Sequence, residues 1–201
     1  MKRIVFISIL CIVVIKSSFS QTFTQGLGLS FVTDKSSAAD ANMSFVVTYS
    51  PRFNFLEKDN SSLSVGIPLS FGPSGAFTTR KSNEPYESER PETYILSIPV
   101  ILNFNVGAGS SRYNDSGSGF FAGAGFGYHF GAAAEKTIDV ISSGYSRTTY
   151  NHKGTIGPVV NAGIRIGVGG DTHHFEIKTT YMKGINTLKP NIYSLSVLFN
   201  F

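Results

Sequence analysis

The chain of 201 residues has no tryptophan and one cysteine, and only 15% of it is charged. Each shortage removes a class of protein. Cys11 lies in the first apolar stretch, so the rest of the chain makes no disulfide and no thiol chemistry. Beyond that stretch, no apolar run approaches the roughly 20 residues that a membrane-spanning helix needs. The basic surplus is equally thin. Lys2, Arg3 and Lys16 stand near the N-terminus; without residues 1–20 there remain 14 basic and 13 acidic residues, a net charge of +1. No nucleic-acid partner is implied.

The N-terminus has the parts of a secretory signal. Lys2 and Arg3 precede an apolar stretch over 4–15 interrupted only by Ser8, and Ser18-Phe19-Ser20 is a small-x-small cleavage site. The stretch is too short to span a bilayer as a helix, and Leu10 before Cys11 does not fit a lipoprotein site. Residues 1–20 are therefore expected to be removed, leaving a single domain over 21–201 that begins at Gln21.

What is abundant is 17 Phe, 9 Tyr and 21 Gly, a composition of strands and tight packing. The C-terminal segment shows the arrangement. Tyr193, Leu195, Val197, Phe199 and Phe201 fall on one side, Ser194, Ser196 and Asn200 on the other. A strand has period two, so one face suits an apolar surrounding and the other a polar one. Seven more segments alternate similarly, at about 22–33, 42–53, 62–72, 94–106, 120–130, 156–168 and 172–182, each about the length a tilted strand needs to cross a bilayer. Without spanning helices, a membrane protein must be a closed barrel, because lipid leaves open sheet edges unsatisfied. The expected fold is all-β: an eight-stranded antiparallel transmembrane up-and-down barrel. A soluble sandwich or lipocalin-like barrel would reverse the faces, exposing a Ser/Gly/Asn surface with too little charge for water.

Loop lengths agree with the barrel. With the N-terminus in the periplasm, the loops after odd strands are external, including the two longest, 73–93 and 131–155. The tightest connection, Gly169-Gly170-Asp171, is internal. The 73–93 loop carries Arg80, Lys81, Glu84, Tyr86, Glu87, Glu89, Arg90 and Glu92, the mixed charge of a solvated surface that could also hold a partner.

The strand Tyr94-Ile95-Leu96-Ser97-Ile98-Pro99-Val100-Ile101-Leu102-Asn103-Phe104 resembles the Tyr-x-x-Ile-Pro-Leu-x-Leu-Lys-Tyr strand of the Bacteroidota outer-membrane β-barrel domains, the PorT-like group. The glycine-rich segment 120–131, Gly157-Pro158, the terminal Phe201 and Gln21 after the cleavage site are similar to that group as well. Where the family usually carries Lys, this chain has Asn103. The resemblance implies an outer-membrane barrel and transfers no site residue.

Candidate chemistry is confined to the inward face. Arg165 on the sixth segment and His174, Glu176 and Lys178 on the seventh share it, with Arg165 expected opposite His174 or Glu176. A lone buried charge costs several kcal/mol, so a structural ion pair is expected in a lumen otherwise made of Gly, Ser and Asn. A proton relay or gate is the alternative use of the same group. His129 points inward near the outer end, but no carboxylate stands in matching register on a neighbouring strand, so a Ser-His-Glu hydrolase site over His129 or His152 is not supported. His173 and His174 point to opposite faces and cannot jointly chelate a metal. Gly123-x-Gly125-x-Gly127 alternates within a strand and precedes no helix, unlike a phosphate loop. The Asn-x-Ser sequences at Asn42 and Asn60 carry no meaning in a bacterial protein. No catalytic, cofactor or metal residue is therefore expected. The expected partners are outer-membrane lipid and, through Phe201, the barrel-assembly machinery. A scaffold or surface-contact role is the first functional expectation, an accessory of a secretion or assembly apparatus the second, and a lipid-modifying enzyme the third.

Overall fold

A computed structural model of the chain describes residues 22–36, 39–74, 94–111, 114, 116–131, 134–141, 145–152, 154–168, 173–186 and 189–201, with the backbone alone at 36, 39–41, 134–141 and 145–152. The expected signal segment, most of the 73–93 loop and the side chain of His152 lie outside these residues.

Eleven strands follow one another: β1 Thr22–Ser36, β2 Ala39–Lys58, β3 Ser61–Gly66, β4 Leu69–Pro73, β5 Tyr94–Gly107, β6 Ser118–Phe130, β7 Ala134–Ile141, β8 Tyr145–His152, β9 Thr155–Gly167, β10 His174–Lys183 and β11 Asn191–Asn200. β1 pairs with both β2 and β11, so the sheet closes on itself. β3 and β4 together occupy one place between β2 and β5, which makes an eight-membered antiparallel ring. The expected continuous third strand is thus broken at Ile67-Pro68. Pro68 has no N–H to give the ladder, while the Ile67 N–H still reaches the Pro51 carbonyl at 3.0 Å. The segment 131–155, read from sequence as a plain loop, contains the hairpin β7–β8. Its Thr137, Ile138, Val140 and Ile141 suit an extended backbone, but their apolar alternation is too short to stand out by periodicity.

The register fixes the stagger. Arg165 lies opposite Glu176, then the row runs through Leu198, Gly28, Thr48, Ser70, Ser97 and His129 and returns to the starting strand at Thr155, ten residues from Arg165. Eight strands with that stagger tilt by roughly 40° and close a backbone cylinder of roughly 8 Å radius. Side chains can fill an interior of that size.

The faces divide as the alternation requires. Phe23, Leu27, Leu29, Phe45, Val47, Val100, Leu102, Phe120, Phe126, Ile164 and Val197 all face outward and are exposed. Phe71, Tyr94 and Phe130 pack ring against ring near the end away from the termini, as do Tyr181 and Tyr193; Phe175, Phe199 and Phe201 do so near the terminal end. Two aromatic belts thus flank an aliphatic band, the outer surface of a barrel built for a bilayer.

The lumen corrects the expectation of a Gly, Ser and Asn interior. Val32, Val46, Ile95, Ile101, Val159, Met182 and Ile192 point inward and form one buried apolar cluster through the middle and far half of the barrel. Phe121 and Leu198 are buried inward nearer the terminal end. The inward glycines make room for them: a Cβ on Gly163 would stand 2.5 Å from the Phe121 ring. Small residues on some strands admit large ones from others, which is how a narrow barrel reaches interior packing density.

Candidate functional site in the lumen

The terminal half of the lumen is polar and charged. Register sets Glu176 of β10 opposite Arg165 of β9, and Arg165 Nε donates to Glu176 Oε2 at 2.9 Å. A second guanidinium reaches the same oxygen from across the barrel: Arg52 of β2 donates through Nη1, also at 2.9 Å. Arg52 Nη2 lies 3.4 Å from His174 Nε2, and Lys178 Nζ stands 3.7 Å from the other carboxylate oxygen, Oε1. The remaining capacity of Arg165 is spread widely. Nη2 donates to Asn105 Oδ1 at 3.0 Å, Nη1 to the Gly109 carbonyl at 3.5 Å, and the guanidinium lies 4.2 Å over the Phe121 ring. Asn105 in turn donates to Ser62 and Ser64.

Arg165, His174, Glu176 and Lys178 are therefore brought together by the structure, and all are buried. Arg52 joins this group from the inward face of β2, a partner that the sequence did not reveal. Two residues on different strands can share a face while their relative height depends on the stagger of every strand between them. The available signal was charge balance: one carboxylate among several inward cations needs more than its cross-strand neighbour.

The turn between β5 and β6 closes this end. Ala108, Ser110, Ser111 and Asn114 are buried in the mouth, and Asn114 Nδ2 donates to the Asp59 carbonyl and to Asn60 Oδ1 in the β2–β3 turn. Gly109, at φ +68°, lies directly on the charges: a Cβ there would meet the His174 ring at 2.7 Å and Arg165 Cδ at 3.2 Å. A side chain at that position would be both strained and without space.

Above the charges runs a chain of hydroxyls. Ser30 Oγ donates to Ser196 at 2.7 Å and meets Thr48 at 2.6 Å, and Thr48 meets Ser70 at 2.8 Å. Beyond the apolar cluster, His129 Nε2 lies 3.2 Å from the Asp34 carboxylate. The carboxylate that sequence did not find beside His129 on a neighbouring strand comes from β1 across the lumen. Among the described residues no hydroxyl bonds His129, and its Nδ1 is buried without a partner. The pair bridges the far end of the barrel; it lacks the bonded nucleophile of a hydrolase triad.

Solved structures share this architecture. The attachment invasion locus protein Ail of Yersinia pestis, in complex with the heparin analogue sucrose octasulfate, superposes with a TM-score of 0.54 at 8% identity, over 90% of this chain and 99% of that one. Neisserial surface protein A, NspA, gives a TM-score of 0.53 at 12% identity, over 90% and 97%. The fold is that of a small outer-membrane β-barrel. At these identities the likeness concerns fold alone. No family model matches the sequence, and neither does any curated protein.

Proposed function

We propose that the chain is an integral outer-membrane barrel without enzymatic activity, acting as a scaffold or surface-contact protein through the segments at the end away from its termini. The observation that carries this reading is the pairing of an apolar, aromatic-belted exterior with a lumen filled from end to end by side chains: charges, hydroxyls, the apolar cluster and the Asp34–His129 bridge. A filled lumen of this width leaves a solute little room to pass, so function falls to what lies outside the band. The strand ends Pro73 and Tyr94, and Phe130 and Thr155, which flank 75–93 and the segment of the β7–β8 hairpin, are all at that end. Short connections at the other end fit a periplasmic side. Lipid and the assembly machinery are the partners this reading requires.

A second reading, a PorT-like accessory of a secretion or envelope-assembly apparatus in Bacteroidota, draws on the Ile98-Pro99 strand and on the folded terminal face. There the Asn114 clamp ties two turns into one surface able to dock a periplasmic partner. A lipid-modifying enzyme comes third, since His129 is 2% exposed and lacks a bonded hydroxyl among the described residues.

Membrane fractionation with heat-modifiable gel migration tests the location and fold together. The protein is expected in the outer-membrane fraction, migrating differently unboiled and boiled, with residue 85 accessible to a surface label on intact cells and Asn60 inaccessible. Recovery as a soluble periplasmic protein would overturn the reading. Labelling at Asn60 alone would reverse the orientation and favour the second.

A further inference from the structure

We propose that the terminal half of the lumen is a binding site for a halide-sized anion, with chloride as its physiological occupant. The charge count leads there. Arg52, Arg165 and Lys178 are buried around one carboxylate, Glu176, three cationic side chains against one anionic one. The other buried carboxylate among the described residues, Asp34, is engaged with His129 at the opposite end. Screening by water is limited, because Ala108, Ser110 and Ser111 of the β5–β6 turn are buried at the mouth and the apolar cluster lies on the other side. Buried charge without a counterion is strongly disfavoured.

Local bonding points the same way. Glu176 Oε2 already serves two guanidiniums, and Lys178 keeps only a 3.7 Å approach to Oε1. Arg52 Nε is buried with no partner, and so is the hydroxyl of Ser110, one residue beyond the Gly109 that rests on Arg165 and His174. A guanidinium N–H, an ammonium and a hydroxyl are the donors that hold a monovalent anion. The Gly109 backbone and the Phe121 ring crowd Arg165, which favours a small inorganic ion over a phosphate ester.

The test is urea unfolding of the purified barrel in detergent at constant ionic strength, with chloride exchanged for gluconate. The expected result is a saturable rise of the midpoint with chloride, the unfolding constant falling about 11-fold when chloride reaches about ten times its dissociation constant. Lys178→Met should weaken chloride at least about tenfold through loss of one charge-assisted contact. A 35Cl line-broadening measurement on the unaltered protein reads binding independently of folding, and bromide, but not gluconate, should relieve the broadening. Three results would each overturn the proposal: a linear response common to all anions, an equal chloride response in Lys178→Met, or no line broadening. A response to phosphate without one to chloride would overturn it as well. None of these results depends on where the protein resides in the cell.

Discussion

Replacing Glu176 with alanine should be among the most damaging single changes the lumen can suffer. The carboxylate accepts two 2.9 Å charge-assisted hydrogen bonds, from Arg52 and Arg165, and is the nearest anion to Lys178. Each such bond contributes about 1.5–3 kcal/mol, and breaking a buried ion pair from one side costs about 3–5 kcal/mol. Glu176→Ala also raises the local surplus from two positive charges to three, so the upper part of that range is expected. Arg52→Met removes one of the same bonds but lowers the surplus, and should cost under about 2 kcal/mol. Replacing Arg165 and Glu176 together with Met and Leu returns the surplus to two and fills the volume, so the pair should cost less than Glu176→Ala alone. A double-mutant cycle by urea titration in lipid vesicles, with the folded fraction read from gel migration, isolates the coupling. Coupling near zero, or Glu176→Ala no worse than Arg52→Met, would refute the account of the lumen as a charge network held by one carboxylate.

The outward band makes its own prediction: Val100, Ile164 and Val197 are 49%, 50% and 51% exposed, and Arg at any one should cost about 2–4 kcal/mol in vesicles, while Ser97→Thr on the inner face should be mild. Equal tolerance on the two faces would invert the assignment. Gly163→Ala should cost about 1–3 kcal/mol, because its Cβ would stand 2.5 Å from both the Ile177 carbonyl oxygen and the Phe121 ring; adding Phe121→Leu frees only the ring contact and should recover part of the loss, and an additive pair would show that Phe121 contributes nothing to the clash. Deletion of Phe201 removes two backbone hydrogen bonds with Gln25, of 2.8 and 3.0 Å, and one half-exposed ring, so refolded stability should fall by only about 1–3 kcal/mol. Outer-membrane levels in cells should fall much further, and unaltered levels would remove the case for Phe201 as a recognition signal.

The ring of strands was legible because outward rows such as Leu27, Leu29 and Phe31 repeat at period two, and that period assigns a side to every residue. It assigns no height. Val32, Val46, Ile95, Ile101, Val159, Met182 and Ile192 are apolar residues at inward positions, visible one by one along the chain but recognisable as a cluster only once the stagger is known. That stagger accumulates over all the strands and is sensitive to single residues. In β2 the register with β3 shifts between Phe55 and Lys58, where Leu56 takes a positive φ of 51°. One extra residue in such a bulge moves everything beyond it along the ladder. The neighbouring pair Arg165–Glu176, on the adjacent strands β9 and β10, is insensitive to this and lay within reach of sequence. Arg52 and Asp34 reach Glu176 and His129 from non-neighbouring strands, across the interior, and no count of residues along one hairpin could have placed them. Charge therefore carries information that periodicity lacks: inward ions must be balanced wherever their strands stand, so a buried inward Arg52 in a narrow barrel requires an acceptor such as Glu176 before its height is known.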